Sequence, residues 1–264
     1  MRYLTVFLCA VLAVTIAANA QSQPQIQVDS RTEALSDDAA SLAQAQQAAG
    51  VALADKLWSL AELGYQEYQS SAELQSYLGA NGFSVETNAG AIPTAFVATY
   101  RSPQASGTTP VLAILAEFDA LPGLNQAATP MRQVTEQDGA GHACGHHLFG
   151  AASAQAAVGL SQWLRASRID ATIKLVGTPA EEGGSGKVYL ARAGVFDDVD
   201  VVLHWHPSDG NSASPSSTTS NKSGRFTFTG RAAHAASAPD RGRSALDGVS
   251  IRDPPLELLL TVRP

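Results

Sequence analysis

Long runs of like charge are missing from this sequence, as are a cysteine framework and any internal repeat. Lys and Arg total 17 against 24 Asp and Glu, a net charge of -7 with no basic tract, which argues against a general attraction to nucleic acid or anionic membrane. Charged residues are only 16% of the 264 residues while apolar residues reach 45%, the balance of a globular chain with material for a core. Two cysteines, Cys9 and Cys144, are too few for a disulfide scaffold. The one long apolar run, Leu4 to Ala18, is shorter than the ~20 residues that a membrane span requires. What remains is length enough for one large α/β domain and part of a second.

The first twenty residues read as a unit of their own. Arg2 supplies a positive start, an apolar stretch follows, and Ala18-Asn19-Ala20 offers small residues for cleavage. That is the layout of a secretory signal peptide over 1–20, so the mature chain is expected to be secreted or periplasmic, with no membrane association after cleavage. Cys9 follows bulky Leu8 and is a poor lipid-attachment site. Cys144 is then alone in an oxidising compartment, which leaves metal ligation, nucleophilic chemistry or burial as its reason.

Leu53, Leu57 and Leu60 recur at helical spacing within an Ala/Leu/Gln-rich stretch over 30–63. Ser70 and Glu73 predict a capping box for a helix through Leu78. Strands are expected at 83–86, 96–100, 111–115, 172–177 and 200–205, the third and last of them buried, with helices at 145–164 and 187–193. Strands alternating with helices predict an α/β fold, a mostly parallel sheet covered by helices on both faces. A Ser/Thr/Asn/Gly-rich linker over 208–223 leads to an alternating strand at 225–229 and a helix beginning near Ser244.

Three apolar strands run into ionisable residues at their carboxyl ends: Glu117 and Asp119, Glu181 and Glu182, and His206. In open α/β sheets the active crevice lies there, so the three ends are expected to converge. The loop Gly141-His142-Ala143-Cys144-Gly145-His146-His147 adds thiolate and imidazole at a Cys-x-His spacing that suits zinc or a similar metal. A thiol nucleophile paired with histidine, or a buried cysteine beside surface histidines, fits the same residues. The Glu181-Glu182 pair supports metal hydrolysis, which needs one carboxylate on the ion and another to take a proton from water. Its plainer reading is two acids at the start of a helix.

The stretches AEFDALPG (116–123), GHACGHHLFGAA (141–152), TPAEEGGSGK (178–187), GVFDDVD (194–200), WHP (205–207), GRAAHAA (230–236) and RSALD (243–247), in this order, resemble the metallo-amidohydrolases of the aminoacylase and carboxypeptidase-G type. The resemblance implies a zinc-peptidase-like catalytic domain over 30–207 and a smaller α+β dimerisation (lid) domain beginning in 224–264. It further implies two divalent ions, zinc or manganese, a homodimer, and hydrolysis of small-molecule amides or dipeptide-like substrates such as N-acyl or N-aryl-acyl amino acids. Residue by residue, Cys144 looks like a bridging thiolate, His146, Glu182 and His206 like further metal ligands, and Glu181 like the general base. Asp119 matches an aspartate that orients a ligand, and His234 a histidine of the smaller domain that reaches a partner subunit's site. No role carries over to His142 or His204, and His147 stands where the family usually has Asp or Asn. After Val249 the segment SIRDPPLELLLTVRP departs from the family pattern. The family's later portion supplies one more histidine ligand. The chain as written is therefore expected to be a truncated form that folds poorly, with a non-catalytic metal-binding fragment as the alternative to an active enzyme.

Overall fold

A computed structural model describes residues 30–251 apart from 104, 106–107, 214–216 and 218–225; the expected signal peptide lies outside the described residues. The chain divides into two compact units, Met1–Asp209 and Gly210–Pro264. In the first, helices α1 (Ser30–Gln44), α2 (Gln47–Leu60) and α3 (Tyr68–Ala80) precede strands β1 (Ser84–Thr87), β2 (Phe96–Arg101) and β3 (Val111–Ala116). The long helix α4 (His146–Ser167), strand β4 (Thr172–Gly177), the single turn α5 (Glu181–Gly184), helix α6 (Gly186–Arg192) and strand β5 (Val201–Leu203) follow.

The five strands form one sheet in the order β1-β2-β4-β3-β5. β4, β3 and β5 run parallel, as expected, whereas β2 pairs antiparallel with both β1 and β4. The sheet is therefore mixed. The link from β1 to β2 is too short for a crossover, so β2 returns antiparallel alongside β1. Side-chain alternation along the strands builds two cores. Phe96, Ala98, Tyr100, Ile114, Ile173 and Leu175 face α2, α3 and α4. Val97, Ala113, Leu115 and Val176 face Leu190 of α6. Helices on both faces are what the apolar β3 and β4 runs require.

Three local expectations change. Helix α3 starts at Tyr68, two residues before the expected cap, and Ser70 is buried inside it. Its N-terminal N–H groups are capped from upstream: the Glu62 carboxylate accepts Gln69 N–H at 3.1 Å and Ser70 N–H at 2.7 Å. The expected buried strand at 200–205 is a three-residue edge strand, paired with β3, whose Val201, Val202 and Leu203 are all more than 45% exposed. An apolar run predicts a strand but not on how many sides it is covered. In the second unit, Phe226–Thr229 forms no strand, and Arg225 lies outside the described residues. Among the described residues, the regular structure there is an Arg231–Arg243 bridge, a 3₁₀ turn at Pro239–Arg241 and helix α7 (Ala245–Ile251), which sits where a helix was expected. Alternation makes a strand only where a second edge is present to pair with it.

Candidate metal centre

β3 and β4 end in register, Ala116 opposite Gly177, and β5 lies beside β3 with Leu203 opposite Ile114. Their continuations, Glu117–Asp119, Thr178–Glu182 and His204–His206, leave the sheet at the same edge. The convergence expected of the three strand ends is realised.

His146 stands at the middle of it, as the first residue of α4 and fully buried. Gly145 before it adopts φ +81°, a left-handed turn that glycine enters without strain, and this places the imidazole under the strand ends. Its Nδ1 lies 2.9 Å from Asp119 Oδ1 and 3.1 Å from the Asp119 carbonyl. Nδ1–H therefore donates to Asp119, which aims Nε2 the other way. There Nε2 finds Glu117 Oε2 at 2.9 Å, and Glu181 Oε2 and Glu182 Oε1 each at 4.0 Å. Cys144 Sγ lies 3.4 Å from His206 Nε2. Among the described residues, two groups of ligand atoms each fit within 4.8 Å: Cys144, His146 and His206, and Glu117, His146 and Glu181.

With the proton on Nδ1, His146 Nε2 and Glu117 Oε2 face each other at 2.9 Å as two buried acceptors, and buried Glu182 Oε1 has no hydrogen-bond partner. Leaving such atoms unpaired costs free energy, and a cation among them would satisfy all three. The donor set of imidazoles, thiolate and carboxylates is that of zinc and related divalent ions. The residues fit a metal.

The electrostatics agree. Burial alone would lower the His146 pKa, but the Asp119 and Glu117 carboxylates at its two nitrogens outweigh burial and raise it to about 10. The surroundings of Nε2 thus favour positive charge at that point. Burial works against ionisation of Glu117, yet contacts with His146 and Lys187 win and lower its pKa to about 2. Burial and the nearby carboxylates of Glu182, Glu181 and Glu117 push the Cys144 thiol up to about 11. A Cys–His separation of 3.4 Å also suits a nucleophile pair. Reactive thiols, however, sit in electropositive surroundings, and this one is ringed by acids, which favours the metal reading.

Of the expected site residues, Cys144, His146, Glu181, Glu182, His206 and Asp119 come together, the last bridging His146 and the Glu182 backbone N–H at 2.9 Å. His234 belongs to the second unit, where its Nδ1 accepts N–H from Ala236 and Ser237 at 3.2 Å each. That leaves the proton on Nε2. His142 is buried, with Nε2 3.1 Å from the Leu57 carbonyl, and its pKa is lowered to about 4 by burial and by neighbouring His147. His147 packs edge-on to Trp58 with ring centroids 4.9 Å apart. Reading the sequence singled out Glu117 at its strand end but assigned it no role. The structure makes it a hub: Oε1 pairs with Lys187 and lies 3.3 Å from His204 Nε2. The signal available was its place two residues before Asp119. The Lys187 and His204 contacts depend on the tertiary fold.

Comparison with known proteins agrees with this geometry. Residues 113–243 match peptidase family M20/M25/M40. The chain is 42% identical over 200 residues to a subunit of the p-aminobenzoyl-glutamate hydrolase of Escherichia coli K12, covering 75% of this chain and 40% of that one. It is 35% identical over 204 residues to the mouse Xaa-Arg dipeptidase, covering 74% of this chain and 43% of that one. A crystal structure of a dinuclear metal binding M20 peptidase from Bacillus subtilis superposes with a TM-score of 0.53 at 26% identity, over 62% of this chain and 44% of the other. The chain thus spans about two-fifths of the length of the curated relatives it matches. Candidate ligand side chains gathered at the carboxyl ends of three parallel strands, on a fold that superposes with a solved M20 peptidase and in a sequence that matches the family model, mark residues 113–243 as a peptidase family M20/M25/M40 domain.

Proposed function

We propose that the chain is the metal-binding catalytic part of a hydrolase that cleaves the amide bond of N-acyl or N-aryl-acyl amino acids or small peptides, with p-aminobenzoyl-glutamate-like compounds as the leading substrates. The observation that carries the proposal is the set of three buried acceptor atoms turned to one point, His146 Nε2, Glu117 Oε2 and Glu182 Oε1, beside Cys144 and His206. Cys144, His146, Glu182 and His206 would hold two divalent ions, zinc or manganese. Bound there, such ions would polarise the scissile carbonyl and acidify water.

The chain's own groups do the rest. Asp119 accepts Nδ1–H of His146, so Nε2 is the nitrogen turned to the ion, which would take the place of the second proton there. Glu181, 43% exposed and next to Glu182, is free to take a proton from water and pass it to the leaving amine. The Nε2–H of His234 is a donor suited to a developing oxyanion in a partner subunit's site of a homodimer. The substrate class is supported by the names of the two relatives, one a hydrolase of p-aminobenzoyl-glutamate and the other a dipeptidase. A metal-binding segment without turnover is the less supported reading, because the candidate base stands beside the ligand cluster.

In this reading 30–207 is the catalytic domain, 208–223 a linker and 224–264 part of a dimerisation domain, and residues 1–20 direct export to a secreted or periplasmic location. The test is metal analysis of the purified chain together with an assay of p-aminobenzoyl-glutamate cleavage with added zinc or manganese. Turnover that requires a bound ion is expected. Hydrolysis unaffected by exhaustive chelation would overturn the proposal.

A further inference from the structure

The loop between α2 and α3 contributes none of the expected site residues, yet it carries a buried carboxylate. Glu67 is fully buried, and burial raises its pKa. One oxygen accepts the backbone N–H of Ala180 at 2.8 Å. Ala180 is the residue before Glu181 and adopts φ +55°, ψ +46°, a left-handed conformation that residues with a side chain rarely hold.

The rest of the loop fits the same turn. Tyr65 donates its hydroxyl to the Gly184 carbonyl at 2.6 Å. A methyl group on Gly184 would fall 2.5 Å from the Tyr65 ring, and one on Gly64 would fall 3.0 Å from Ala180 Cα. The loop is itself tied to the site edge, since Ala120 N–H donates to the Glu62 carbonyl at 2.8 Å. Glu181 is thus bracketed. Glu67 holds the N–H before it, and Asp119 holds the N–H of Glu182 after it at 2.9 Å. Rotating the Ala180–Glu181 peptide would swing the Glu181 side chain away from His146.

We infer that Glu67 is a positioning residue: by holding the Ala180 N–H it keeps that residue left-handed and aims the Glu181 carboxylate at the metal centre. The inference rests on the proposed role of Glu181 as general base.

Two variants and two measurements test it. Glu67→Gln keeps an acceptor oxygen at the same place, and Glu67→Leu removes it at similar volume. Amide hydrogen exchange of Ala180 should be slow in the unsubstituted protein and in Glu67→Gln, and roughly tenfold or more faster in Glu67→Leu. Fast exchange in the unsubstituted protein would overturn the inference even if Glu67→Leu does not fold. In the metal-loaded protein, Glu67→Leu should lower kcat about 10–100-fold with KM and metal content unchanged, while Glu67→Gln stays within about threefold. In a Glu181→Gln background, Glu67→Leu should cost nothing further, because there is no base left to aim. Multiplying losses, or metal lost together with rate, would mean a general structural role and refute the inference. Full turnover in Glu181→Gln alone would instead remove the base assignment, and the exchange of Ala180 would still judge the Glu67 contact.

Discussion

The adjacent glutamates can be separated by substituting each with glutamine, and the structure sets different expectations for the two. Glu182 is the more enclosed, with 22% side-chain exposure against 43% for Glu181, and its buried Oε1 has no hydrogen-bond partner 4.0 Å from His146 Nε2. Glu182→Gln replaces an anionic ligand with a neutral amide. Loss of even an outer partner of a metal ligand costs about 10–100-fold in metal affinity, so loss of this carboxylate should cost at least that. Glu181→Gln should leave metal content intact and lower kcat by about 10²–10⁴, equivalent to roughly 2.7–5.4 kcal/mol of barrier. Neither change cuts a hydrogen bond into the sheet, so circular dichroism should be unchanged in both. The assay is metal content after dialysis against a graded chelator, followed by turnover of an aminobenzoyl-glutamate substrate at saturating metal. Metal lost from Glu181→Gln but kept by Glu182→Gln would reverse the roles. Undiminished turnover in Glu181→Gln would take it out of the chemistry.

Two further outcomes concern other parts of the chain. His142 has a pKa of about 4 in the fold against about 6.5 in an unfolded chain, because a second proton would place an unpaired N–H at its buried Nδ1. Its contribution is fully present above pH ~6.5 and is lost as pH falls toward ~4; roughly 2 kcal/mol should disappear between pH 7.5 and 5. The raised His146 pKa works the other way, since its contribution is complete below pH ~6.5 and is already falling at pH 7.5, so only the comparison with a His142 variant isolates the His142 effect. Denaturant melts of the native protein and His142→Asn at both pH values would measure this, and an equal pH dependence in the two would rule His142 out. Mass spectrometry of the exported protein should find a mature N-terminus near Gln21; an intact Met1 on a soluble cytoplasmic species would exclude the signal peptide.

Much of the first unit was legible from residue order. β4 has the expected bounds, β3 extends one residue further, and α4 begins one residue later than expected and runs on to Ser167. These elements carry long apolar or Ala-rich runs whose period and length leave few alternatives. The site was legible for a related reason. Acids and imidazoles placed just past the ends of such strands converge once the strands lie parallel, so a linear spacing becomes a spatial cluster.

What the sequence by itself determined, then, is which segments become β3, β4 and α4, and which side chains stand at their ends. The tertiary structure alone decided the partners. That β2 runs antiparallel beside β4, and that β5 is an exposed edge, depends on which strands meet, and an apolar run does not encode that. The Glu62 cap on α3, the Lys187 and His204 contacts of Glu117, and the hold of Glu67 on Ala180 join residues from 7 to 113 positions apart. Each depends on the direction of a side chain after packing, when burial makes an unpaired polar atom costly and selects the neighbour able to pair with it.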